Sequence, residues 1–455
     1  MRLKLFTLLF TIVSLAGYAQ NDDTATIRAI ADEILLHGKA YDNLRTLTKQ
    51  VGARLTGSPQ TYKAEAWGQK ALQQAGADQV KLQACLVPHW VRGGKDEAWV
   101  VSGAKKGQAF DVLALGNSVG TGPKGIQAPV MLVNSFDELE QRKAEVKGKI
   151  VFYNYKFSDT YIRTFEAYRD AVPYRVIGPS RAAKYGAVAV VIRSMSHAAD
   201  NNPHTGTTRY NDSFPKIPAA ALGLQDADRL AALLQHEPVN FFLRTNARML
   251  PDTVAHNVIG ELAGSEFPEQ VITVGGHLDS WDPAEGAHDD GSGCVQSIEV
   301  LRALKAIGYK PRHTIRVVLF ANEENGTRGG LKYAEEAKTK KEKHVFALES
   351  DAGGFTPREI GVTASTEQLA KMQQWLPLLL PYGISQITNG GGGSDIGPLN
   401  QQLGTPLAGT EPDSQRYFDI HHARSDVFEA VNKRELELGA VTMAALIYLV
   451  DKYGL

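Results

Sequence analysis

A recurring pairing constrains this chain most: short apolar, β-branched runs, each ending in acids or histidine. Val271-Ile272-Thr273-Val274 leads into Gly275-Gly276-His277-Leu278-Asp279, Ile315 to Phe320 into Asn322-Glu323-Glu324, and Val345 to Leu348 into Glu349-Ser350-Asp351. Runs this short and apolar fit strands covered on both faces. Helical patterns lie between and after them, at Gly293 to Ile307, Gly329 to Ala337 and Asn432 to Lys452. Strands alternating with helices predict a three-layer α/β domain with a largely parallel, mixed sheet. Such folds place their chemistry at the carboxyl ends of the strands, where these polar groups fall.

Upstream, Thr24 to His37 and Ala40 to Val51 read as helices, and Ser58-Pro59 reads as the N-cap and first residue of another. Strands are expected at Gln79 to His89 and Ala98 to Gly103. From about residue 112 to 243 the character changes: short apolar strands are punctuated by Gly, Pro and Asn, Ala198 to Phe214 reads as a polar loop, and no metal-type motif occurs. The expected organisation is a discontinuous domain, 20–111 and 244–455, carrying an inserted domain at 112–243.

His277 closes its strand with Asp279 two positions on, a spacing that lets a carboxylate hold the second ring nitrogen of a metal-bound histidine. Asp289-Asp290 precede a helix; either acid could merely complement the helix dipole, but beside His277 one of them suits the bridge of a two-metal centre. Paired glutamates at the buried end of a strand repel unless something positive compensates, so of Glu323 and Glu324 one is expected to bind metal and the other to remain free as a general base. Asp351 adds another strand-end acid. Of the adjacent His421 and His422, the latter is preferred because Asp426 follows four positions later. The donors are nitrogen and oxygen with no thiolate, which suits zinc and admits cobalt or manganese.

The chain has 455 residues and a formal net charge of −1, which leaves no electrostatic footprint for nucleic acid. Cys85 and Cys294 are too few for a disulfide framework and are expected to be inert core thiols. Met1 to Gln20 carries Arg2 and Lys4, an apolar stretch and Gly17-Tyr18-Ala19, the pattern of a cleavable secretory leader at 1–19. No later run reaches membrane-spanning length. A secreted or periplasmic protein without a membrane anchor is expected.

The set Gly276-His277-Leu278-Asp279-Ser280-Trp281-Asp282, Asp289-Asp290-Gly291, Asn322-Glu323-Glu324, Glu349-Ser350-Asp351 and His422-x-x-x-Asp426 resembles the cocatalytic-zinc exopeptidases of aminopeptidase and glutamate carboxypeptidase type. The tryptophan-containing run and Arg54-Leu55-Thr56-Gly57-Ser58 are most similar to the plasma glutamate carboxypeptidase (carboxypeptidase Q) branch. The resemblance implies a zinc-peptidase domain with a protease-associated (PA) insert, two zinc ions, a peptide substrate and a homodimer. It assigns His277, Asp289, Glu324, Asp351 and His422 to the metals, with Asp289 as the bridge. Glu323 becomes the general base, Asp279 orients His277, and the Asp289–Asp290 peptide is expected to be cis. Three carboxylates and a bridging hydroxide would then neutralise two divalent cations, which makes burial tolerable. The activity implied is hydrolysis of dipeptides or short peptides by metal-activated hydroxide. Two rival readings on the same fold are a one-metal glutaminyl cyclase and a catalytically silent, receptor-like binding protein.

Overall fold

Eight strands form the central sheet in the order Gln79–Val91, Arg248–Leu262, His313–Phe320, Phe267–His277, Lys343–Glu349, Leu407–Pro412, Pro357–Thr363 and Gln386–Asn389. This arrangement comes from a computed structural model that describes residues 22–455; the expected leader at 1–19 lies outside the described residues. His313–Phe320, Phe267–His277, Lys343–Glu349 and Leu407–Pro412 run parallel to one another, whereas Arg248–Leu262 pairs antiparallel with both Gln79–Val91 and His313–Phe320 on one side, and Pro357–Thr363 pairs antiparallel with Leu407–Pro412 on the other. The sheet is therefore mixed, with its parallel part at the centre.

Successive side chains point to opposite faces along these strands, and the central residues 271–277 and 313–320 are buried throughout because both faces are covered. Ile315, Val317 and Leu319, with Phe346 and Leu348, face the helices Ser292–Ala306 and Lys433–Tyr453. Val318, Phe320 and Ala347 face Arg328–Lys340 and Gly397–Leu403 on the other side. That gives the three expected layers. Helix Pro59–Gln74 has Pro59 at its first position, but the Ser58 hydroxyl meets Thr61 Oγ1 at 3.4 Å instead of capping a main-chain amide. Both cysteines are free and buried.

A second mixed sheet takes the order Ala109–Phe110, Glu97–Val100, Asn240–Arg244, Ile126–Val133, Ile150–Tyr153, Ala189–Arg193, Ala219–Leu222 and Val112–Ala114. It has its own apolar clusters, one around Phe152, Val191 and Phe241 and one around Val151, Val190 and Ala221. Its strands begin at Glu97, ahead of the expected start of the insert at 112. Among the described residues no helix is long and apolar enough to cross a membrane.

Candidate metal centre

The strands His313–Phe320, Phe267–His277 and Lys343–Glu349 lie side by side and parallel, so their carboxyl ends converge. His277 is the last residue of the middle strand. Glu323 and Glu324 follow the first across a turn in which Asn322 adopts φ +65°, a left-handed conformation that asparagine tolerates. Asp351 follows the third by two residues. Asp289 enters from the loop ahead of helix Ser292–Ala306, and His422 from the segment after the short helix Tyr417–Ile420.

The five donors converge on one place. His277 Nε2 lies 3.2 Å from Asp289 Oδ1 and 3.4 Å from Asp351 Oδ1. His422 Nε2 lies 3.2 Å from both Asp289 Oδ2 and Glu324 Oε2. Asp289 thus stands between the two histidines, one carboxylate oxygen toward each. His421 Nε2 is farther from Asp289 Oδ2, at 3.6 Å, and its ring stacks on that of His422. Donor atoms of Asp289, His421 and His422, of His277, Asp290 and Asp351, and of His277, Asp289 and Glu324 form three overlapping sets close enough to hold a cation each.

The supporting contacts differ from expectation at two residues. The second ring nitrogen of His277, Nδ1, lies 3.0 Å from the main-chain oxygen of Asp279, and the Asp279 carboxylate is 3.7 Å away. That carboxylate instead accepts the Glu323 amide at 3.0 Å, so Asp279 fixes the turn carrying the glutamates. Asp426 does not reach His422. It accepts the amides of Ala287, His288 and Asp289 at 3.1, 2.7 and 3.1 Å and so shapes the loop bearing Asp289. Asp290 plays the structural part considered for an acid before a helix: it accepts the His277 and Gly293 amides, each at 3.0 Å. The Asp289–Asp290 peptide is cis, as expected.

Arg54, part of the N-terminal run noted above, proves to be a buried anchor. Its guanidinium donates to the carbonyls of Leu278, Glu285 and Gly286 at 2.5, 2.5 and 2.9 Å, stapling the loop between His277 and Asp289. His288 is equally structural: its ring stacks on Phe355, and its nitrogens meet the Gly354 amide and the Ala430 carbonyl. Arg416 turns away from the cleft to pair with Glu435.

Comparison with known proteins follows the same lines. The model of peptidase family M28 matches residues 257–447, the span that holds all five donors. A protein from Shewanella amazonensis SB2B, described as a peptidase M28 precursor, is 32% identical with a TM-score of 0.90, over 95% of this chain and 97% of that one. The chain belongs to peptidase family M28. Carboxypeptidase Q of Homo sapiens is 37% identical over 422 residues, 92% of this chain and 87% of that protein. A zinc aminopeptidase from Bacillus subtilis, 20% identical with a TM-score of 0.65 over 90% of this chain and 94% of that one, shares the fold. As a member of M28 the chain is a peptide-bond hydrolase.

The electrostatics of this M28 peptidase centre call for cations. Burial, then the nearby Asp289, pushes Glu324 up to about 8. Burial also raises Glu323, which with the Asp351 and Asp279 carboxylates beside it stands at about 7. Burial alone would lower His422, yet Glu324 and Asp289 carry it up to about 9. Asp289 Oδ2 is buried with no hydrogen-bond donor in line, although two imidazole nitrogens face it. Lone pairs aimed at one shared space, with carboxylates crowded around it, are what a metal ion relieves.

The cluster opens into a cleft of about 810 Å³. Glu323, Glu324 and Asp351 line its floor, and Gly392, Gly393, Ser394, Thr410 and Glu411 one wall. The opposite wall comes from the second sheet's side of the molecule: Asn117, Tyr168, Arg169, Arg175 and Arg209. No motif marked these residues in the sequence.

Proposed function

We propose that this M28 peptidase is a di-zinc exopeptidase acting on dipeptides or short peptides. The observation that carries the reading is Asp289 lying between His277 and His422, with Asp351 beside the first histidine and Glu324 beside the second. His277 and Asp351 would hold one zinc, His422 and Glu324 the other, with Asp289 shared. The all nitrogen-and-oxygen donor set fits zinc. When bound, zinc supplies Lewis-acid polarisation of the scissile carbonyl and makes a water acidic enough to ionise near neutral pH.

The chain's own residues would do the rest. Glu323 accepts the proton of the attacking water and delivers it to the leaving amine nitrogen. Its place on the cleft floor beside the proposed metal ligands puts it within reach of a water and a leaving group there. Asp279 holds Glu323 in place through its amide. The 97–244 region, widened from the expected 112–243 by the first strands of its sheet, is read as a protease-associated insert that covers the cleft. Export rests on the leader-like residues 1–19, and homodimer formation on the resemblance to the plasma glutamate carboxypeptidase branch.

The test pairs metal analysis with a dipeptide panel in which the amino end, the carboxyl end or neither is blocked. Two zinc ions per chain with hydrolysis of unblocked dipeptides support the reading. A single zinc with cyclisation of amino-terminal glutamine would replace it with acyl transfer, and no turnover of any peptide with a binding-protein role.

A further inference from the structure

We propose that the loop 204–206, supplied by the second sheet's side of the molecule, is a positioning element for the metal ligand His422. This rests on the di-zinc reading above. The contact is reciprocal. The Thr205 amide donates to the His422 carbonyl at 3.0 Å, and the Thr205 carbonyl lies 3.4 Å from His422 Nδ1. A ring that binds metal through Nε2 carries its proton on Nδ1 and needs an acceptor there, which fixes both tautomer and orientation. The Thr205 carbonyl is that acceptor. Arg175 Nη1, 3.4 Å from Nδ1, is the competing donor; it also lies 3.5 Å from the Thr205 carbonyl, and Nη2 of the same guanidinium donates to Tyr168 Oη at 2.6 Å.

Close approach of the loop to the ring is built into the sequence. Gly206 has φ +124°, and a Cβ there would lie 2.5 Å from Arg175 Cζ and 2.6 Å from His422 Nδ1. Any side chain would push the clasp off the imidazole. His422 itself sits at φ +61°, a conformation unfavourable for a residue that is not glycine and held here by its surroundings. Two further grips hold the residues that follow: Asn202 Nδ2 donates to Ser425 Oγ at 3.0 Å, and Asp111 receives two hydrogen bonds from Arg424 at 2.6 and 3.1 Å. The loop is in turn tied to its own sheet, Thr205 Oγ1 donating to the Ala114 carbonyl at 2.9 Å and the Gly116 amide to the Gly206 carbonyl at 2.9 Å. A segment with no ligand of its own thereby sets the geometry of one metal position and leaves the His277–Asp351 position alone.

The test measures zinc affinity by chelator competition, site by site, in the full-length protein. In Gly206→Ala the zinc held by His422 is expected to lose affinity about 10–100-fold while the other is unchanged. Thr205→Val, which removes the tie to Ala114 while keeping side-chain volume, is expected to lose about tenfold or less at the same position, and it decides the matter should Gly206→Ala fail to fold. His422→Ala identifies which affinity belongs to that position. Wild-type affinities at both positions in a folded Gly206→Ala, or in Thr205→Val where Gly206→Ala does not fold, or equal losses at the two positions in either variant, would overturn the proposal. A wild-type protein that binds fewer than two zinc ions would instead overturn the di-zinc reading itself.

Discussion

At the scale of single residues, the centre depends on groups that never touch a substrate. Glu323 is the exception, and its proposed role gives a sharp expectation: Glu323→Gln retains its metal and its KM but loses about 10²–10⁴-fold in kcat. Steady-state kinetics alongside metal analysis checks this, and full turnover in a metal-replete variant would remove the base. Arg54 acts entirely through three buried carbonyls. Arg54→Ala leaves them without donors, at about 1–3 kcal/mol each by the usual cost of an unmet buried polar group, so the variant should unfold at much lower denaturant than wild type, with Arg54→Lys between the two. Glu342 gives a pH signature far from the metals. Its hydrogen bond from His344, together with the Arg316 guanidinium, depresses it to about 2. A lowered pKa stabilises the fold above the ordinary carboxylate range, and that contribution fades as pH falls toward 2. Denaturant midpoints of zinc-free wild type and Glu342→Gln should therefore differ at pH 7 and converge near pH 2.

At the scale of elements, the parallel strands were readable because β-branched runs buried on both faces leave a continuous apolar signature, and the acids at their ends stood out against it. His277, Glu323, Glu324 and Asp351 are legible for that reason. The second sheet was harder. Ala219–Leu222, largely alanine, carries a helix former's composition yet lies wholly buried in a strand, where neighbours decide the conformation. Helix Thr164–Val176, which brings Tyr168 and Arg175 to the cleft, was masked by Pro173 inside it. The amide-accepting roles of Asp279 and Asp426 were not legible, since sequence spacing cannot show that a carboxylate serves main-chain amides of another loop. The closing helix Lys433–Tyr453 makes a plainer case: the Asn432 side chain accepts the Arg434 and Glu435 amides at 2.9 and 3.1 Å. Asn432→Ala should cost about 1 kcal/mol in denaturant unfolding, with activity unchanged at temperatures where the protein stays folded.

At the scale of the whole molecule, two sheets build one cleft. The central sheet supplies the metal donors and the second region supplies the facing wall, with Arg92 bonded to the Ala114 carbonyl and Asn117 to the Asn325 carbonyl across the join. The polar stretch Ala198 to Phe214, which looked like an ordinary connection, contains the clasp on His422. Residues far apart in the chain thus serve one centre, and the central claim is that this centre holds a pair of cations. Zinc content of the purified protein, by inductively coupled plasma mass spectrometry after equilibration with zinc and removal of excess, tests it most directly. Two zinc ions per chain in wild type, falling to one in His422→Ala, is the predicted result; fewer than two in wild type, or two still bound tightly in His422→Ala, would contradict it.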